Sequence, residues 1–367
     1  IGEAPSGKTM KARTIAQVRY WSLVTVIVAV LGMFLLWPIA HAFKRSVTDE
    51  HGFTLMYLRS LFSEPRQVEA ILLGLTIAAL VTLCSFLVSL PLASVVARRS
   101  FPGKNLLSGL VLIPLILPPF VGAVGMKLVL ARCGALSTLL MKLGWVDGPV
   151  DWLGTFPLLG VILLETLHLF PVLYLNLVAA LANIDPSLEE AAANLGASPS
   201  RVFQRVTLPL AGPGLFAGLV LVFIWSFTEL GTPLVFGVRG VLPVLIYDNV
   251  SEVGRNPMGY AQVVLILMVS ALGFWISKSL TRRHNQVATL GRLSISRPEK
   301  PLGVSAAILF HLAFGLVLLV AALPHLSVIL LAIGRRWFLT VLPEGYTLEF
   351  FARAISSDLT RTALVNS

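Results

Sequence analysis

This chain is poor in charge. Only 13% of its 367 residues are Asp, Glu, Lys or Arg, while 56% are hydrophobic. An ordinary soluble domain carries about 25% charged residues, so this composition excludes a water-soluble body. Cysteine is scarcer still, with two in the whole chain. Cys84 and Cys133 fall in or near apolar runs, without metal-type spacing, and fit small hydrophobes in a bundle better than a disulfide or a metal site. Alternating apolar and polar segments of about ten residues are missing, which argues against an outer-membrane barrel. No small-residue cleavage site follows the first apolar run, which is also too long for a secretory leader. His168, His311 and His325 stand in no HExxH or paired-carboxylate setting. No catalytic, cofactor-binding or metal-binding residue is assigned.

Present instead are repeated apolar runs of about 20 residues, the mark of a polytopic transmembrane helical bundle, all-α in class. Seven spans are expected, at Trp21–Phe43, Ala70–Ala97, Leu106–Leu130, Phe156–Leu181, Gly212–Val238, Tyr260–Leu280 and Val304–Gly334. Pro324 opens the last to a kink or an early end. The net charge of +10 then belongs to loops and flanks rather than to a nucleic-acid surface. With the N-terminus in the cytoplasm, Lys8, Lys11, Arg13 and Arg19 lie inside, as do Arg98, Arg99, Lys104 and the cluster Lys278, Arg282, Arg283, Arg292, Arg297 and Lys300. Many acids fall in the opposite loops, Glu252 among them. Lys44, Arg45, Arg335 and Arg336 fall there too, so the bias is slight.

The segment Phe53-Thr54-Leu55-Met56-Tyr57-Leu58 is echoed by Tyr346-Thr347-Leu348-Glu349-Phe350-Phe351. Each follows an apolar span and leads through a polar turn, Ser63-Glu64-Pro65 or Ser356-Ser357-Asp358. Duplication accounts for both. The expected organisation is a basic cytoplasmic tail over residues 1–20, a six-span repeat over 21–300, and the start of a second repeat, cut short, over 301–367. On this reading the sequence is a piece of a longer protein.

The polar stretch from Asp185 to Leu210 interrupts the lipid-like sequence. Asp185-Pro186 is a helix start, with a capping side chain and a proline at the first helical position. Gly196 can end that helix in the left-handed conformation. Ser198-Pro199 starts a second short helix running to about Val206, and Leu208-Pro209 stops it. Small alanines let a partner approach, with Glu189, Glu190, Arg201 and Arg205 as charge at the rim.

This stretch resembles the EAA loop of ABC importer permeases of the binding-protein-dependent, MetI-like type. Glu190, Ala191, Ala192, Gly196, Leu208 and Pro209 stand at that motif's positions. Leu117-Pro118-Pro119-Phe120-Val121-Gly122, the run from Trp225 to Pro233, and Asn256-Pro257-Met258-Gly259-Tyr260 are similar to ferric-iron-type permeases. The resemblance implies a multi-pass protein of the bacterial inner membrane. It implies a coupling loop over 185–210 that fits a groove on a cytoplasmic ATPase dimer, with ATP bound by that partner and not by this chain. It also implies an extracytoplasmic solute-binding protein. Ferric iron is the first cargo expected, with polyamine, aminoethylphosphonate or an oxyanion as alternatives.

Three other readings compete. Ala192–Val202 resembles a DNA-reading helix-turn-helix, but about 25 residues between two spans are too short to fold alone. Gly2–Thr9 matches GxxxxGK[ST], yet no later apolar strand ending in Asp is available to hold magnesium. An ion-coupled secondary transporter would need intramembrane charge, for which Glu165 and Glu229 are the candidates. Glu229, Gly231, Thr232, Pro118 and Pro119 form the expected substrate pathway, because helix-loosening residues expose carbonyls that can line a cavity. The alternative for them is close helix packing.

Overall fold

The computed structural model describes residues 7–249, 257–288 and 300–366. Glu252, Asn256, Arg292, Arg297 and the first five residues of the Gly2–Thr9 pattern lie outside them, as do the side chains of Lys8, Lys11, Arg13, Arg282 and Arg283. Among the described residues, seven helical segments are long and apolar enough to cross a membrane. The chain divides into two compact units, residues 1–68 with 248–267 and residues 69–247 with 268–367.

In the first unit, α1 (Gly7–Leu31) runs through a wide π-turn at Gly32–Leu36 into α2 (Trp37–Ser46). The helix therefore starts within the stretch expected as a basic tail. A two-residue hairpin, β1 (Thr48–Asp49) with β2 (Gly52–Phe53), leads to α3 (Met56–Ser63) and to the start of α4 (Pro65–Val96). The α15 helix (Met258–Ala288) begins in this unit. There, Gln262 Nε2 donates to Gln67 Oε1 at 2.8 Å, with both amides buried. Such a bond between apolar helices fixes their rotation about each other.

The second unit holds the core. The rest of α4 is followed by β3 (Arg99–Ser100), α5 (Lys104–Leu110), α6 (Pro119–Leu130), α7 (Ala135–Lys142), α8 (Trp152–Thr155) and α9 (Pro157–Ala182). The polar elbow, α10 (Pro186–Asn194) and α11 (Pro199–Val202), leads into α12 (Leu208–Phe227), and α13 (Gly231–Phe236) and α14 (Leu242–Asn249) follow. Beyond α15 come β4 (Lys300–Pro301), α16 (Val304–Ile333), the hairpin β5 (Gly334–Arg336) with β6 (Glu344–Tyr346), α17 (Glu349–Ser356) and α18 (Asp358–Asn366). Phe170, Leu173, Tyr174 and Leu177 on α9 are fully buried and centre the core. Gly214 and Gly218 on α12 let it close on α9: a Cβ at Gly218 would stand 2.6 Å from Leu173 Cδ1. Small residues at the crossing allow dispersion contacts that replace a hydrophobic drive absent in lipid. Ser226 on α12 donates to the buried carboxylate of Glu165 on α9.

Two expected elements differ in form. The third span is not one helix over Leu106–Leu130: α5 passes into a 3₁₀ turn at Ile113–Leu115, the chain extends at Pro118, and α6 begins at Pro119. Pro118 and Pro119 have no N–H to give the carbonyls of Pro114 and Leu115, and each disfavours helical backbone in the residue before it. The fifth span ends at Phe227, and α13 is separate from it. By contrast, α16 runs unbroken through Pro324.

The echoed segments adopt the same local build. In one, the Thr54 amide donates to Val47 O at 2.8 Å and Thr54 Oγ1 accepts from the Met56 amide at 3.1 Å. In the other, the Thr347 amide donates to Ile333 O at 2.7 Å and Thr347 Oγ1 accepts from the Glu349 amide at 3.1 Å. Both follow a hairpin and open a short helix.

Candidate coupling elbow and intramembrane break

The elbow is shaped by its own sequence. Asp185 Oδ1 accepts the Ser187 amide at 2.9 Å, which caps α10. That amide, and then the Ser187 hydroxyl, hold the Asp185 carboxyl below its ordinary pKa. The cap is therefore in place above the usual carboxylate range and is lost as pH falls through the lowered value. At the other end Gly196 has φ +84°. Its amide donates to Ala193 O at 2.9 Å, and the Ala197 amide donates to Ala192 O at 3.1 Å. Together these bonds form a Schellman closure, which satisfies the last carbonyls of the helix and turns the chain. The turn leaves Glu190, Ala191, Gly196 and Arg201 exposed, with Ala192 half-buried. Leu195 projects at the tip, 90% exposed.

Two parts of the elbow were read differently from sequence. Glu189 is not rim charge. It is buried, its Oε1 lies 2.5 Å from Arg98 Nη2, and it accepts from Thr207 Oγ1 at 2.5 Å. Helix periodicity turns it inward while Glu190 faces out. Nor do Leu208 and Pro209 stop the second helix. A π-turn at Phe203–Thr207 carries α11 into α12 without a break. The wider turn absorbs a proline that cannot make the usual helical bond. Leu208 is half-buried, while Arg205 and Pro209 are exposed.

The expected pathway residues are brought together inside the second unit. Gly231 packs on Phe120, beside the break at Pro118 and Pro119: a Cβ there would stand 2.6 Å from Phe120 Cβ. Thr232 is fully buried. A small pocket opens at the break, lined among others by Pro114, Pro118, Leu167, His168, Pro324 and His325. The sequence shows each histidine without linking them, because they sit 157 positions apart, His168 on α9 and His325 on α16. Glu229 Oε1 accepts the amides of Gly231 at 2.9 Å and Thr232 at 3.2 Å, and so caps α13. Glu229→Gln keeps an oxygen for both amides and is expected to leave uptake within about twofold of wild type, whereas Glu229→Ala unties α13 and lowers it further. Uptake by both variants checks this, and equal losses would show that the charge itself is needed.

The fourth and fifth spans are thus joined by a hydrophilic elbow of two short helices. The chain belongs to the family of binding-protein-dependent transport system inner membrane components, whose model matches residues 89–286. It is accordingly a multi-pass inner-membrane permease subunit of an ABC importer. It is 32% identical over 229 residues to the molybdenum transport system permease protein of Haemophilus influenzae, covering 60% of this chain and 97% of that one. It is also 32% identical over 259 residues to a Salmonella typhimurium permease named for 2-aminoethylphosphonate transport, covering 70% of this chain and 89% of that one. The fold matches a bacterial ABC transporter involved in import of the acidic polysaccharide alginate, with a TM-score of 0.58 at 19% identity, over 75% of this chain and 99% of that chain. None of these three is named for ferric iron.

Proposed function

We propose that the chain passes a small oxyanion or phosphonate from an extracytoplasmic binding protein into the cytoplasm. ATP is hydrolysed by a separate dimeric ATPase, which grips the elbow at residues 185–210. The observation that carries this reading is the exposed elbow surface of Glu190, Ala191, Leu195, Gly196 and Arg201. Its capped and Schellman-closed helix holds a fixed shape outside the apolar bundle, as a docking element must. The cargo class is supported by the relatives named for molybdenum and 2-aminoethylphosphonate. Molybdenum travels in water as a tetrahedral oxyanion, close in shape and charge to a phosphonate.

Pro118, Pro119, Glu229, Gly231 and Thr232 border the path, at the one place where the third span gives up its helical hydrogen bonds. Residues 301–367 open a second repeat, and the matching hydrogen bonds of Thr54 and Thr347 support that reading. Ferric iron is the second cargo reading, favoured by the segments Leu117–Gly122 and Trp225–Pro233.

The test is accumulation by vesicles holding the reconstituted complex, with molybdate, 2-aminoethylphosphonate, sulfate, ferric iron and a polyamine compared side by side. ATP-dependent uptake of an anion is expected. Uptake of iron or polyamine alone overturns the cargo, and uptake that ignores ATP overturns the importer assignment.

A further inference from the structure

Arg98 follows α4, at the end where that helix meets the elbow. Its guanidinium reaches Glu189 Oε1 on α10 at 2.5 Å, with the two side chains only 18% and 9% exposed. The same guanidinium carbon lies 5.8 Å from the centre of the Phe203 ring, in the π-turn that opens α12. Thr207, at the far end of that turn, donates its hydroxyl to the same Glu189 oxygen at 2.5 Å. One carboxylate and one guanidinium thus join three elements: the end of α4, the first helix of the elbow and the foot of α12. The next two residues continue the chain of contacts. Arg99 and Ser100 pair in parallel with Lys300 and Pro301. The Leu302 amide donates to Ser100 O at 3.1 Å, and His311 Nε2 lies 2.9 Å from Pro102 O. The loop after α4 is therefore held both to the elbow and to the entry of α16.

We propose that Arg98 is a positioning residue for coupling: through Glu189, Thr207 and Phe203 it fastens the elbow to α4 and α12, and through its own loop to α16, so that movement of the elbow reaches several spans at once. The proposal rests on the importer reading given above. The physical ground is that a short helix linked to the bundle only by chain ends can pivot. A largely shielded charge pair resists that pivot, because parting it leaves an uncompensated charge in a site with little access to water. An arginine suits the role, since one planar group can meet a carboxylate and an aromatic face together.

The test uses the full chain assembled with its ATPase and binding protein. With molybdate as the probe, Arg98→Gln is expected to keep ATP hydrolysis within about twofold of wild type while molybdate accumulated per ATP falls roughly tenfold, a size usual for coupling between sites. Arg98→Lys should recover part of that ratio, and the exchange Arg98→Glu with Glu189→Arg should recover most of it. Thr207→Val, which leaves the ion pair in place, should give a smaller loss in the same direction. Nitroxide labels at Ser187 and Asn105 provide a measure independent of cargo: the distance distribution between them should broaden in Arg98→Gln and narrow again in the exchange. An unchanged uptake-to-ATP ratio together with an unchanged distribution overturns the proposal. So does parallel loss of hydrolysis and uptake that the exchange does not rescue, since that marks a purely structural pair. If wild type takes up no molybdate, the cargo reading fails, and the distance measurement alone decides the role of Arg98.

Discussion

Gly196→Pro is expected to abolish ATP-driven uptake while the protein still inserts. Gly196 has φ +84°, and proline is held near −65°. The substitution also removes the amide that donates to Ala193 O. Both supports of the turn are lost together, so α10 and α11 must take a new angle. If the elbow docks the ATPase as proposed, a displacement of this kind justifies an expected fall in uptake on the order of a hundredfold. Insertion depends on the apolar spans, which the change does not touch. Gly196→Ala separates the two causes. An added Cβ meets nothing within 4 Å, so alanine suffers only left-handed strain, about 1–2 kcal/mol, and keeps the amide. It should retain part of the uptake. Membrane-fraction immunoblots alongside vesicle uptake check both variants; normal uptake and ATPase stimulation by Gly196→Pro would remove the elbow from the mechanism.

Gly125→Val should loosen the seventh span from the third. On α6, a Cβ at Gly125 would run into the Pro324 carbonyl of α16 and stand 2.8 Å from Val328 Cγ2. Neither neighbour can swing aside: one is backbone and the other a stiff β-branched side chain. The helices must separate or bend, at roughly 1–3 kcal/mol for overpacking and more where backbone is displaced. Gly122 is the internal control. Its added Cβ would meet Pro324 Cβ at 3.5 Å, an ordinary contact, so Gly122→Ala should be nearly silent. Melting of the purified protein in detergent should show a fall of several degrees for Gly125→Val and almost none for Gly122→Ala. Equal melting temperatures would mean that the close crossing of α6 and α16 contributes little.

How much of this was legible in the sequence depends on how local each cause is. Asp185, Pro186 and Gly196 act within four residues of themselves, so the first half of the elbow could be read directly. The seven apolar runs needed only a length and a composition. Glu189 was misread because its partner, Arg98, is 91 residues away. Two adjacent glutamates carry no local sign of which one faces inward. Pro209 looked like a terminator, since the rule that proline ends a helix takes no account of a widened turn that accommodates it. The break in the third span was half legible: Pro118 and Pro119 signal irregular backbone, but not that His168 and His325 border the opening. Those two come from separate helices, and only packing brings them to one place.

The unbroken run from Pro199 to Phe227 has a mechanical meaning. Its 29 residues make a rod about 43 Å long at the helical rise. A tilt of about 5° at its foot would displace its far tip by roughly 4 Å, more than the width of a water molecule. That tip carries Phe227 and, two residues on, Glu229. A small shove on the polar side of the protein would thus be magnified by leverage alone and reach the neighbourhood of the break in the third span.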